Sequence, residues 1–292
     1  MTPSNKALLQ IHGCVAIWGF TAILGKLITL SAYALVWWRM LLVVAALCLA
    51  PAFWRGLRRL DWPTLGIFSG IGVVVALHWV SFYAAIKLAN ASVAATCMAV
   101  APILVSIIEP WVTGRRFDWR ELLIGIAAVP GVMLVVGGTP RGMHSGIAVG
   151  ILSALLVAVF AVLNKRHVER AAPLVVTGLE LAAGTTFLTV LAVVLGSQHT
   201  GLPVVPDARD AALLLVLALA CTLLPFALSL VALRKLSAFS TQLAISLEPV
   251  YAVFLAMLLL GEHRELGLQF YAGLALILGS VLAHVALRRS PG

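Results

Sequence analysis

The chain has 292 residues, 62% of them apolar and only 11% charged, with a mean hydropathy of +1.08. A soluble domain of that composition has too few polar groups to cover its surface, so lipid is the main solvent. The formal charge of +9 sits in short clusters between apolar runs, which is the pattern of membrane topology and excludes a nucleic-acid partner.

A spanning helix needs about 20 mostly apolar residues. Runs of that kind predict helices over 9–30, 32–53, 64–86, 91–113, 122–136, 146–163, 172–195, 211–233, 237–260 and 267–287, ten in all. One lysine precedes the first run, which is longer than a signal-peptide core and is followed by no cleavage site, so it reads as a retained helix. Cys14, Cys48, Cys97 and Cys221 fall inside apolar runs without metal or disulfide spacing and read as small buried thiols.

The connections alternate in charge. Lys6, Arg55, Arg58, Arg59, Arg115, Arg116, Arg120, Lys165, Arg166, Arg170, Arg234, Lys235, Arg288 and Arg289 fall on one side. Lys26, Lys87, Arg141, Arg209 and Arg264 fall on the other, and Arg39 lies inside a span. The positive-inside rule then puts both termini in the cytoplasm of a cell with the protein in its inner (cytoplasmic) membrane.

The two halves repeat. An offset of 147 carries Pro102 and Gly114 onto Pro249 and Gly261, and Lys26 and Lys165 end helices one and six after similar small-residue runs. Each half, 1–140 and 141–292, holds five predicted spans. An odd number turns the second half upside down, and inverted repeats mark secondary transporters that expose one midplane site alternately to each face. The fold class is therefore all-α and integral to the membrane.

Three short motifs carry a family resemblance: Ala16-Ile17-Trp18-Gly19-Phe20 running to Lys26, Leu247-Glu248-Pro249, and Gly261-Glu262. With them the chain resembles the EamA-type ten-helix members of the drug/metabolite transporter superfamily, in a layout similar to the YddG-type amino-acid exporters. The first half departs from the pattern, with Ala101-Pro102 and Gly114-Arg115 where the second has Glu-Pro and Gly-Glu. The resemblance implies a central cavity lined by helices one, three, four, six, eight and nine, and export of amino acids or close relatives.

Polar groups inside a bilayer need a partner or a water-filled cavity. His78, beside Trp79, Phe82 and Tyr83, is placed either to meet a zwitterionic cargo or to bond a neighbouring helix as a neutral ring. Glu248 stands before Pro249, where it either binds a proton or a substrate ammonium group or stabilises the bend that proline imposes. Glu109 lies where water reaches it and reads as structural. Arg39 and Glu180 are expected to snorkel to their nearer interfaces.

Residues three or four apart share a helix face. Cavity-wall stripes are expected from Cys14, Trp18, Thr21 and Gly25, from Ser153, Val157, Phe160 and Asn164, from Met98 and Pro102, and from Gln242, Ser246 and Pro249; helix packing explains the same residues. Gly66 with Gly70, and Gly125 with Gly131, read as close helix contacts. Pro102, Pro130, Pro225 and Pro249 are candidate flexible points, with Pro102, Pro225 and Pro249 the expected hinges.

These features favour a carrier of small molecules, complete as a monomer, with no cofactor, no metal and no catalytic residues. No P-loop and no soluble domain is present, so energy comes from a gradient. A membrane enzyme would need paired acids, a GxSxG turn or a His/Glu metal set. A channel would not show saturable counterflow. Drugs, nucleosides and nucleotide-sugars are the alternative cargoes, but phosphorylated cargo would draw Arg or Lys to the midplane, where none is expected.

Overall fold

The computed structural model describes residues 3–127, 129–202 and 204–288, and every regular element among them is helical. The first half contains α1 (Pro3–Leu27), α2 (Ala32–Cys48), α3 (Pro51–Leu57), α4 (Trp62–Leu88), α5 (Ala91–Met98), α6 (Ala101–Thr113), α7 (Trp119–Ala127) and α8 (Val129–Gly137). The second contains α9 (His144–His167), α10 (Pro173–Leu195), α11 (Ser197–Thr200), α12 (Ala208–Leu215), a π-helical segment Val216–Leu223, α13 (Leu224–Leu233), α14 (Ala238–Ile245), α15 (Glu248–Leu259) and α16 (Leu268–Arg288).

Among the described residues seven helical stretches are long and apolar enough to cross a membrane, or eight if α2 and α3 count as one. The run expected over 32–53 ends early, and α3 turns away from α2 by 93°. Proline explains the turn. The residue before Pro51 is driven out of the helical region, and Ala50 has φ −91 and ψ 113. The surroundings of Gly125 and of residues 281–292 lie outside the described side chains.

Helix starts follow side-chain capping. Ser31, Asp61, Asn90, Asp207 and Ser237 each accept a backbone N–H three residues on. The Thr64 hydroxyl is the chief cause holding the exposed Asp61 carboxyl below the ordinary carboxylate range.

The internal repeat is visible at atomic detail along one helix pair. The break between α5 and α6, at residues 99 and 100, and that between α14 and α15, at 246 and 247, stand at the same offset of 147, each just ahead of a proline, Pro102 or Pro249. Gly114 (φ 73) and Gly261 (φ 69) then close the two helices in the left-handed region that a side chain resists. The pair is tied at both ends. Glu109 accepts from the N–H groups opening α14, and Glu262 from those opening α5. Glu109 is buried by this contact, so the expectation that water reaches it fails, while its structural role stands.

Lipid tails give helices no hydrophobic reason to associate, so small residues decide where they meet. A Cβ on Gly72 of α4 would lie 2.1 Å from the Glu180 carbonyl of α10, and one on Gly131 of α8 would lie 2.7 Å from the Gly273 carbonyl of α16. Gly66 and Gly70 have nothing within 4 Å of an added Cβ. The expected contact through that pair is therefore replaced by one through Gly72, a face further round the helix. The halves interlock: α4 packs on α9 and α10, and α1 on α13 and α15.

Candidate functional site

Where the halves meet, one cavity is lined by α1, α2, α4 and α5 from the first half and by α9, the π segment, α13, α14 and α15 from the second. Its chemistry begins with Arg39. The side chain is 3% exposed and does not reach an interface, so the snorkelling expectation is overturned. Trp79 and Tyr83, one turn apart on α4, form a shelf under it, with the guanidinium carbon 3.9 Å from the Trp79 ring centroid and 5.6 Å from that of Tyr83. A desolvated cation–π contact of this kind contributes on the order of 2 kcal/mol.

Two hydrogen bonds fix the guanidinium: Nη1 donates to the Tyr83 hydroxyl (2.8 Å) and Nε to Thr222 Oγ1 (2.6 Å). Thr222 is aimed by the π segment, because its own hydroxyl donates to the Leu217 carbonyl five residues back (2.5 Å). Such π turns recur at functional sites. Nη2 makes no hydrogen bond among the described residues.

Glu248 opens α15, is 8% exposed and shares the cavity wall with Arg39. No hydrogen bond or ion pair engages its carboxylate among the described residues. His78 is held by Ser153 of α9, whose Oγ and carbonyl lie 2.8 and 2.9 Å from Nδ1. Its Nε2 makes no hydrogen bond among the described residues. Phe160, 5.4 Å from the imidazole, and Phe226, 6.0 Å from Trp79, continue an aromatic wall. At the end next to the start of α14, Gln242 is 1% exposed with neither amide atom paired, and Thr241 Oγ1 and Asn164 Oδ1 are likewise unpaired.

Outside the cavity wall, the Thr29 N–H and hydroxyl donate to the buried Asp210 carboxylate (3.0 and 2.7 Å), and Lys87 donates to the Ile28 carbonyl. Thr29 belongs to the first half and Asp210 to the second, so this bond joins the halves.

Among the residues singled out from sequence, Trp18, Thr21, His78, Trp79, Phe82, Met98, Phe160, Gln242 and Glu248 all line the cavity, with Val157 and Asn164. Tyr83 stands behind the wall as a partner of Arg39. Pro102, Ser246, Pro249 and Pro225 are buried away from it; Ser246 donates to the Gln242 carbonyl. Cys14 and Gly25 are also absent from the wall, and Ser153 touches it only through His78. Arg39, Thr222, Phe226 and Thr241 were not anticipated. Arg39 did leave a signal, as the one Lys or Arg that belongs to neither set of connections.

The model of the EamA-like transporter family matches residues 5–137 and again residues 144–285. No curated protein matches the chain. A solved structure described only as the crystal structure of a protein superposes with a TM-score of 0.72, covering 98% of this chain and 99% of that one at 17% identity. At that identity it shows the shared fold alone.

Proposed function

The chain belongs to the EamA-like transporter family, and on that premise we propose that it is a secondary carrier exporting amino acids or closely similar zwitterions by alternating access. Membership makes it a membrane transporter of the drug/metabolite type and not an enzyme. The cargo, the direction and the mechanism are the proposal.

The observation that carries it is the presence of Arg39 and Glu248 in one wall. The expectation that no basic side chain reaches the cavity is corrected by Arg39, yet the argument for zwitterionic cargo gains from the correction. A guanidinium with one free N–H edge suits a carboxylate, and an unengaged carboxylate suits an ammonium group. A phosphate, bearing roughly −1.5 to −2 charges, would meet a single guanidinium opposed by Glu248. The aromatic wall suits an apolar or aromatic side chain.

Ten crossings in two inverted halves, 1–140 and 141–292, with both termini in the cytoplasm and Pro102, Pro225 and Pro249 as flexible points, complete the reading. The polar end of the cavity then faces the cytoplasm, the loading side for export from a cell's inner membrane. A single chain contains both halves.

Counterflow in proteoliposomes tests it. Vesicles loaded with unlabelled amino acid should accumulate labelled tracer saturably, and Arg39→Gln and Glu248→Gln should each abolish accumulation. Folded protein that accumulates no amino acid would sink the amino-acid reading and turn attention to drugs and nucleosides. Non-saturable flux would indicate a channel.

A further inference from the structure

Beside the polar end of the cavity, three oxygen-bearing side chains are buried together with acceptors to spare. Glu180 on α10 is 0% exposed; its Oε2 receives one hydrogen bond, from Asn164 Nδ2 at 3.4 Å, and its Oε1 receives none. Asn164 on α9 is 1% exposed, and its Oδ1 is unpaired although the residue lines the cavity. Thr177 is 0% exposed with an unpaired Oγ1, and it shares a face of α10 with Glu180 three residues on. The expectation that Glu180 snorkels to an interface therefore fails. On the α4 side the seam is closed, since Gly72 lies against the Glu180 backbone.

A carboxylate at this depth calls for a counter-charge. The helices packed against α10 carry Arg39 on α2, Arg55 on α3, His78 and Lys87 on α4 and His199 on α11, and α9, which reaches Glu180 through Asn164, carries His144, Lys165, Arg166 and His167. None of these is hydrogen-bonded or ion-paired to Glu180 among the described residues, and α13 carries no ionisable side chain. A proton on the carboxyl supplies one donor and satisfies one acceptor. A small hard cation draws on several oxygens at once, and one carboxylate balances one positive charge, where a divalent ion would leave a surplus in low dielectric.

We propose that Glu180 Oε1, Asn164 Oδ1 and Thr177 Oγ1 form a site for a monovalent metal cation of the sodium type, reached from the cavity past Asn164. Secondary carriers place coupling ions beside the cargo near the midplane, and the site would tie cargo movement to a cation gradient. That purpose rests on the carrier reading above; the binding itself does not.

The experiment is therefore made without cargo. The full chain in detergent is melted in choline chloride, then with sodium chloride and separately potassium chloride replacing it at constant ionic strength and pH. A ligand bound by the folded state alone raises Tm saturably. Sodium should raise the wild-type Tm more than potassium does, Glu180→Gln should lose the rise, and Thr177→Val should need roughly tenfold more sodium for half of it. No sodium response in the wild type, or the same response in Glu180→Gln, overturns the site. If Glu180→Gln does not fold, Thr177→Val decides, and an unchanged sodium midpoint overturns it. A failure of amino-acid counterflow leaves this result standing, so the two readings fail separately.

Discussion

Glu109 and Glu262 grip equivalent backbone positions in opposite halves: Glu109 accepts from Ala238 (2.9 Å) and Phe239 (3.0 Å), and Glu262 accepts from Ala91 (3.0 Å) and Ser92 (2.9 Å). The offset of 147 carries Ala91 and Ser92 onto Ala238 and Phe239, but it does not carry one glutamate onto the other. The two acids reach the same bond from different places, Glu109 from inside α6 and Glu262 from just beyond α15. Each sits at a helix N-terminus, where the peptide dipoles favour negative charge.

Removing such an acceptor strands buried donors, at a cost of about 1–3 kcal/mol each. Glu262→Ala should lower thermal stability by at least that amount, because Ser92 Oγ (2.7 Å) loses its acceptor as well. Glu262→Gln keeps one acceptor oxygen and should lose less. Equal melting of the two variants and the wild type would show that the grip contributes nothing.

Two glycines six residues apart on α4 should respond in opposite ways. Gly72→Ala drives a methyl into the Glu180 carbonyl and should cost about 1–3 kcal/mol or more as α4 and α10 separate. Gly66→Ala meets open space and should be neutral or gain up to about 1 kcal/mol of helix propensity. Paired thermal melts check both.

Thr222→Val preserves shape while removing the hydroxyl that receives Arg39 Nε and bonds Leu217. A buried guanidinium N–H then lacks its partner, and stability should fall by about 1–3 kcal/mol. Thr21→Val, whose hydroxyl donates to the Trp18 carbonyl of its own helix (2.7 Å) and meets the neutral Tyr83 hydroxyl, strands no charged group and should cost less. Side-by-side unfolding curves separate the two.

Arg39→Lys keeps the charge but loses the planar fork and the stacking on Trp79. In counterflow it should raise the half-saturation concentration of an amino acid by roughly tenfold or more, the value of a charged hydrogen bond. The corresponding amine, lacking a carboxylate, should be affected much less. Equal effects on both would assign Arg39 a packing role.

Much of the frame is legible in the residues. Pro102 and Pro249, Gly114 and Gly261, and the capping residues Asn90 and Ser237 all repeat at one offset, because helix breaks and ends depend on local backbone chemistry. Arg39 was misplaced for the opposite reason. Its partners stand 44 and 183 residues away, and nothing along α2 shows which face meets them. Gly66 and Gly70 carried the familiar spacing, yet the face of α4 that meets α10 is set by Gly72 and its partner helix. Glu109 and Glu262 escaped a position-by-position comparison because their shared bond is made from unmatched sites.

The π segment gives the second half one residue more than a regular helix would hold over the same rise. Counted as register, Val216–Leu223 behaves as an insertion whose effect is rotation. Deleting a single residue there would turn everything beyond it by about 100°, swinging Phe226, Ser229, Leu230 and Leu233 off the cavity wall while leaving every one of those side chains in the sequence. The identity of that wall is thus stored in the number of residues that precede it.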